Sequence, residues 1–423
     1  MSDARMKEAD KRAAAQQPIA DLLAQGIGHA GVGRVLKTVR KYLGMDVAFI
    51  AQFRESDRVF ETVDAEPGSP LREGASMPLD EGYCLKLVRG ELPPVIPDTA
   101  RSTAAMAIRE TAAVPIGSHL GVPIVLEGGE IYGTLCCFSY LPDPTLGERE
   151  LKMLQAFAEV VATRISETRT MQRNKSRRID EIRGAMAAGA PRIVYQPIYK
   201  LKNLELAGFE CLSRFDLEPY QSPDKWFSLA HEVGLGLELE LVSIERSLAA
   251  VDHFAPGIFI SLNSSPSLIV SGALESALPS GGLNHLMLEI TEHAVVADYE
   301  RLGSALEPLR KRGLRIAIDD AGAGYASMLH IVNLHPDIIK LDMSLTENID
   351  TDTRRRALAR ALIAFARDIA STICAEGVET ERELEMLRSL GVDLAQGHYL
   401  NKPMSLDAAM HLHDASQSLA TSA

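Results

Sequence analysis

The chain has 423 residues, 46% of them hydrophobic and 24% charged, and a formal net charge of −13. That length suits two or three domains with real cores, and the acidic balance excludes a general nucleic-acid-binding protein, which would show a basic patch. The opening MSDARMKEADKRAAAQQ has no apolar segment of a secretory signal, and no stretch approaches the ~18 apolar residues of a membrane span, so a cytoplasmic protein without membrane insertion is expected.

Residues 1–17 are polar and are expected to lie outside any domain. Residues 18–147 predict a small α+β domain with an antiparallel sheet. Its clearest strands are Val47–Ala51, Leu120–Leu126 and Ile131–Tyr140, the last two flanking the turn Glu127-Gly128-Gly129-Glu130. The five cysteines, Cys84, Cys136, Cys137, Cys211 and Cys374, are odd in number and lack zinc-ligand spacing, so reduced buried thiols are expected. Residues 148–188 predict one long helix. Leu151, Leu154, Ala158, Val161 and Ile165 follow a heptad that turns polar at Thr168, Gln172 and Lys175 and resumes at Ile179, Ile182 and Met186. Such a stripe suits pairing with a second copy, hence a homodimer; the alternative is a helix packed on its own domain. The run Arg173–Arg178 reads as a solvated helix face.

Residues 189–412 predict a (β/α)₈ barrel. Eight short apolar runs end at Gln196, Glu210, Asn263, Glu289, Asp319-Asp320, Lys340, Glu376 and Gln396. Polar ends gathered on the C-terminal rim of such a barrel mark its active site. Only 13 residues separate Gln196 from Glu210, too few for a parallel crossover, so the first strand should be antiparallel and turn near Lys202-Asn203. Residues 413–423 are expected as a disordered tail. The carboxylates are hard oxygen donors suited to divalent cations, and two such ions can activate water and stabilise the leaving oxygen of a phosphodiester. Lys340 is a lone cation in the apolar run Ile338–Leu341, so it needs carboxylate or phosphate partners.

The segment from about 190 to 410 resembles the EAL-domain family of bacterial cyclic di-GMP phosphodiesterases. The resemblance rests on Tyr195-Gln196-Pro197-Ile198, Glu210-Cys211-Leu212-Ser213-Arg214, Asn263-Ser264-Ser265, Glu289-Ile290-Thr291-Glu292, Ile318-Asp319-Asp320, Ile339-Lys340-Leu341-Asp342, Ala375-Glu376-Gly377-Val378-Glu379-Thr380 and Gln396-Gly397. It implies hydrolysis of cyclic di-GMP to linear 5′-pGpG with two Mg²⁺ or Mn²⁺ ions. By the same resemblance Glu210, Asn263, Glu289, Asp319, Asp320 and Glu376 are metal ligands. Lys340 positions the attacking water, with Glu376 or Asp320 as the base. Gln196, Arg214 and Gln396 face the substrate, and Glu292 anchors the loop after the aspartates. Three positions depart from the family: Cys211 replaces the signature alanine, Ala321-Gly322-Ala323-Gly324 stands for Phe-Gly-Thr-Gly, and His398 replaces an aromatic residue. A silent barrel acting as a cyclic di-GMP receptor, or a protein-interaction module, is the alternative, and the intact ligand set speaks against it.

Residues from about 18 to 168 resemble a GAF domain, through Gly82-Tyr83-Cys84, Val95–Thr99, His119–Ile124 and Tyr132–Cys136. That resemblance implies a sensor for a small molecule whose identity the residues do not give. Cys84 has no neighbouring histidine to suggest a chromophore and is expected as a structural thiol. His119 is expected as a hydrogen-bonded histidine at a strand start.

Overall fold

In the computed structural model of the chain, the described residues are 30–290, 296, 298–321 and 325–420, with backbone alone at 30, 325–327 and 419–420. They divide into two compact units, one through Asn174 and one from Lys175.

The first unit is built on a six-stranded antiparallel sheet in the order β3-β2-β1-β6-β5-β4. The strands are β1 (Val47–Phe53), β2 (Asp57–Ala65), β3 (Ser76–Pro78), β4 (Val95–Ile96), β5 (Ser118–Val125) and β6 (Ile131–Ser139). Successive side chains leave a strand on opposite faces, and β6 uses both. Leu135 and Cys137 pack against helix α1 (Ala30–Leu43) and the start of a long helix. Cys136 and Phe138 pack on the other face with Tyr83, Cys84 and Leu87 of helix α2 (Tyr83–Val88). All five cysteines are free and buried, as the sequence indicates.

The long helix α3 spans Glu148–Ala187 without a break. Its apolar stripe does not wait for a second copy. Leu154, Ala158, Val161 and Ala162 are buried in the core of the first unit. Ile182 and Ala185 are buried against Phe215, Trp226 and Val233 in the second. The heptad therefore records packing on the chain's own units, and the expected coiled-coil seam is already occupied.

The second unit is a closed eight-stranded barrel in the order β10-β11-β12-β13-β14-β7-β8-β9. Its strands are β7 (Arg192–Lys200), β8 (Leu206–Arg214), β9 (Phe259–Ser264), β10 (Leu286–Ile290), β11 (Arg315–Ala321), β12 (Ile338–Leu341), β13 (Thr372–Ala375) and β14 (Leu394–Ala395). Strand β7 is antiparallel to both β8 and β14, and the remaining pairs are parallel. The β7–β8 turn covers residues 201–205 and includes Lys202-Asn203.

An apolar layer fills the barrel interior with Ile198, Phe259, Met287, Ala317, Ile338, Cys374 and Leu394. Gly208 makes this layer possible, because a Cβ there would lie 2.4 Å from the Phe259 carbonyl oxygen and 2.6 Å from its ring. The C-terminal segment corrects one expectation. Residues 413–420 continue the helix Leu406–Ala420. His413 is buried, stacks edge-on against Phe254 and accepts a hydrogen bond from the Ala255 N–H at 3.3 Å, which ties this segment down.

Candidate active site

Two residues along each strand from the apolar layer, the interior turns polar. Phe259 is followed by Ser261 and Asn263, Met287 by Glu289, Ala317 by Asp319, Ile338 by Lys340, Cys374 by Glu376 and Leu394 by Gln396. Gly208 is followed by Glu210. On the reversed strand the step runs backwards, from Ile198 to Gln196, and Gln196 sits opposite Glu210 in register. A strand period of two thus places these polar side chains in one interior layer above the apolar one.

This layer is deeper than the rim on which the sequence placed it. Glu289 is 0% and Lys340 1% exposed, and Glu210 is buried too. The ammonium of Lys340 meets four carboxylates: Glu376 at 2.5 Å, Glu289 at 2.7 Å, Asp319 at 3.0 Å and Glu210 at 3.5 Å. Burial opposes its charge, but Asp319, Glu210, Glu289 and Glu376 outweigh burial and hold it well above the lysine range. Burial, then the neighbouring Glu210, push Glu289 up to about 8 against the pull of Lys340. Burial likewise raises Glu376 well above the carboxylate range.

Asp319 and Asp320 owe their joint position to a β-bulge. Ile318 pairs with Ile339, yet Ala321 pairs with Leu341, so β11 carries one extra residue there. Asp320 takes φ +53, a left-handed conformation that aspartate tolerates better than most residues. On a regular strand adjacent carboxylates would point to opposite faces. Here Asp319, Asp320 and Glu376 each offer an oxygen, and the three oxygens lie within 4.8 Å of one another.

Gln396 donates its amide to Glu210 at 2.6 Å and to Glu376 at 3.1 Å, so it joins the acidic layer directly. Its Oε1 is buried and has no hydrogen-bond partner among the described residues. Asn263 binds the Cys211 carbonyl through Nδ2 at 3.5 Å, which leaves its amide oxygen as the atom it can offer. Gln196 is half-buried and reaches the Asn401 carbonyl at 3.5 Å. Arg214, at the end of β8, is half-buried and donates to the Ser213 carbonyl at 2.8 Å. Glu292 and residues 322–324 of the glycine-rich loop lie outside the described residues.

Three supporting residues escaped the sequence reading. The Ser261 hydroxyl donates to Glu289 Oε1. Thr346 holds the Glu376 carbonyl. Glu240 accepts the Ser265 N–H at 3.0 Å, just after Asn263. A polar residue in the apolar run Phe259-Ile260-Ser261-Leu262 was the available signal for Ser261; nothing local marks the other two.

The donor set fits divalent cations. It is all oxygen, and its five carboxylates with one lysine leave four negative charges when all are ionised, the number that two divalent cations would balance. Glu289 and Glu376 are raised first by burial and then by neighbouring carboxylates, against the pull of Lys340.

Comparison with known proteins agrees with this geometry. A family model described as EAL domain matches residues 179–403, and one described as GAF domain matches residues 30–165. The probable cyclic di-GMP phosphodiesterase PdeG of Escherichia coli (strain K12) is 32% identical over 247 residues, covering 55% of this chain and 48% of the relative. An uncharacterized signaling protein of Caulobacter vibrioides is 29% identical over 367 residues, covering 84% of this chain and 44% of the relative. The chain thus spans about half the length of these curated relatives. The solved structure "PaMucR Phosphodiesterase, c-di-GMP complex" is 28% identical with a TM-score of 0.50, covering 55% of this chain and 99% of that one. With more than half of its residues in the barrel match, the chain belongs to the EAL domain family and carries a GAF domain ahead of the barrel.

Proposed function

We propose that the chain is a sensor-regulated phosphodiesterase that hydrolyses cyclic di-GMP to linear 5′-pGpG. The observation that carries this reading is the buried layer in which four carboxylates converge on Lys340 beside the Asp319, Asp320 and Glu376 oxygens. The names of the PdeG relative and the PaMucR structure support the substrate.

Glu210, Asn263, Glu289, Asp319, Asp320 and Glu376 would hold two divalent cations, Mg²⁺ or Mn²⁺. When bound, these supply charge neutralisation and a water of lowered pKa. The chain's own side chains do the rest. Lys340 orients the attacking water, and Glu376, or Asp320 in its place, takes its proton. Water adds at phosphorus, the P–O3′ bond breaks and the freed 3′-oxygen is protonated. Arg214 matches phosphate oxygens with a planar fork, and Gln196 and Gln396 line the approach. Gln396 also fixes the orientation of Glu210 and Glu376.

The domain bounds proposed are 18–147 for the sensor, 148–188 for the connecting helix and 189–412 for the barrel. A small-molecule ligand on the sensor, a homodimer and a cytoplasmic location complete the reading. No helix among the described residues is long and apolar enough to cross a membrane. Because the α3 stripe is buried at both ends, a dimer would use another surface.

The test is incubation of the purified chain with cyclic di-GMP and Mg²⁺ or Mn²⁺, with chromatographic detection of pGpG. Asp319→Asn should lower turnover at least ~10²-fold, the scale of a lost electrostatic contribution to a transition state. Tight calorimetric binding of cyclic di-GMP without any product in either metal would instead establish the silent-receptor alternative.

A further inference from the structure

Two histidines lie beside buried polar groups, and only one of them is bonded. His119 of the sensor is buried against the Tyr83 ring, centroids 4.5 Å apart, and neither of its ring nitrogens has a hydrogen-bond partner among the described residues. This contradicts the hydrogen-bonded histidine expected from the sequence. His231 of the barrel unit is exposed, and its Nε2 lies 3.0 Å from Glu240 Oε1. The pair closes helix α4 (Pro223–Val233) onto helix α5 (Gly236–Leu248). Gly236 leaves the space, since a Cβ there would fall 2.3 Å from His231 Nδ1. Glu240 itself is 8% exposed. Its second oxygen, Oε2, accepts the Ser265 N–H at 3.0 Å.

That N–H stands where the barrel wall is held least. The parallel pairing of β8 with β9 stops at Glu210 and Ser261, two residues short of Asn263. Beyond it, among the described residues, β9 is paired with β10 alone, where Asn263 stands opposite Glu289 and Ser264 opposite Ile290. Helix α5 spans the gap. Glu240 holds Ser265 on the β9 side. Ser243, three residues on and therefore on the same helix face, shares a 2.7 Å hydrogen bond with Ser213 on the β8 side. The Asn263 side chain has little hold of its own. Its bond from Nδ2 to the Cys211 carbonyl is 3.5 Å long, at the limit for a hydrogen bond. The placing of its amide oxygen therefore falls to the backbone around it.

A helix cap alone would not require a residue from α5. Ser265 is the N-cap of helix α6 (Pro266–Ser271), and its hydroxyl accepts the Leu268 N–H. In a capping box the third helical residue is Glu or Gln and takes the N-cap N–H in return. After β13 the chain does this, with Thr380 and Glu383. After β9 the third position is Leu268, which is fully buried in the core. The N-cap N–H passes instead to a carboxylate 25 residues away, and the strand end is fastened to α5 as no local cap could fasten it.

We propose that Glu240 is a positioning residue of the metal site: by holding the Ser265 N–H it fixes the end of β9 and presents the Asn263 amide oxygen to the cations. The assignment rests on the ligand role proposed above for Asn263. Glu240 acts only through the main chain of residues 263–265. A carboxylate acceptor makes the stronger kind of hydrogen bond, and His231 keeps this one from turning away.

The experiment titrates the full chain with Mn²⁺ by calorimetry, without substrate. Glu240→Ala should raise the Mn²⁺ dissociation constant ~10–100-fold, the loss typical when an outer partner of a ligand is removed. Glu240→Gln can still accept the N–H and should recover most of that loss. Ser265→Pro removes the N–H itself and suits the local backbone, whose φ is −77. It should match Glu240→Ala, and the double variant should bind no more weakly than either alone. Ser265→Ala removes the capping hydroxyl but keeps the N–H, so it should melt lower and bind Mn²⁺ with wild-type affinity. In the metal-free chain, hydrogen exchange at residues 262–265 should be faster in Glu240→Ala than in Glu240→Gln. A Glu240→Ala chain that melts lower yet binds Mn²⁺ like the wild type would make Glu240 a structural tie and overturn the assignment alone. So would a Ser265→Ala chain that binds as weakly as Ser265→Pro. A wild-type chain that binds no Mn²⁺ would overturn the function proposed above, and the role assigned to Glu240 with it.

Discussion

Lys340 shows how much one side chain can hold. Removing one partner of a buried ion network commonly costs ~3–5 kcal/mol, because the remaining charges stay buried and unpaired. Glu289, pushed up to about 8, keeps its proton near neutrality, so the lower end of that range applies. Lys340→Met should therefore lower the melting temperature of the metal-free barrel and abolish turnover, and added Mn²⁺ should restore part of the stability. A melting temperature equal to the wild type's would show that the carboxyls are neutral and the ammonium is a spectator. His119 gives a prediction of opposite sense. Burial, then Arg58, lower it from 6.5 to about 3. Its unfolded form binds the proton and its folded form does not, so its contribution is complete above pH 6.5 and lost as pH falls toward 3. It is the only histidine among the first unit's described residues. That unit should lose about 2 kcal/mol between pH 7 and pH 5, and His119→Phe should abolish this slope in denaturant titrations. A slope that persists in the variant would assign it to other groups.

At the scale of elements, the bulge in β11 decides whether two aspartates can share one site. Asp320→Gly should preserve it, since glycine accepts positive φ freely. Asp320→Val places a β-branched residue at φ +53 and should cost ~1–3 kcal/mol more than the glycine variant. Urea unfolding of both variants checks this, and equal midpoints would mean that the backbone relaxes without strain. This bulge was not legible in the sequence, where Asp319-Asp320 appears only as a polar strand end. The strand periodicity was legible. The residues two positions before Glu289, Asp319, Lys340, Glu376 and Gln396 are Met287, Ala317, Ile338, Cys374 and Leu394, and these form the apolar layer beneath. The antiparallel first strand followed from chain length alone. The depth of the polar layer did not, because burial depends on how the barrel closes around it. The α3 heptad misled for a related reason: a 3.5-residue stripe says that a face is covered, and only tertiary structure says by what.

For the whole molecule, two units with separate cores should unfold separately. Calorimetry should resolve two transitions. Mn²⁺ should raise only the one belonging to the barrel, by an amount set by its concentration over its dissociation constant, and Asp319→Asn should reduce that shift. A single transition moved bodily by the metal would show that the units melt as one. The reversed strand β7 has one more effect. Arg192, at its start, pairs with Arg214, at the end of β8, so the chain enters the barrel at the end where the parallel strands finish. In an all-parallel barrel the first strand would be entered from the opposite end. Here the last turns of α3 arrive at the end where the parallel strands finish, where Ile182 and Ala185 pack on Phe215 and Trp226, just beyond Arg214. Arg246 fastens this junction by donating to the carbonyls of Met186 and Pro191, each at 3.0 Å. A small axial slide or roll of the helix would press on Phe215, one residue from the proposed phosphate fork, before it disturbed anything on the far side of the barrel.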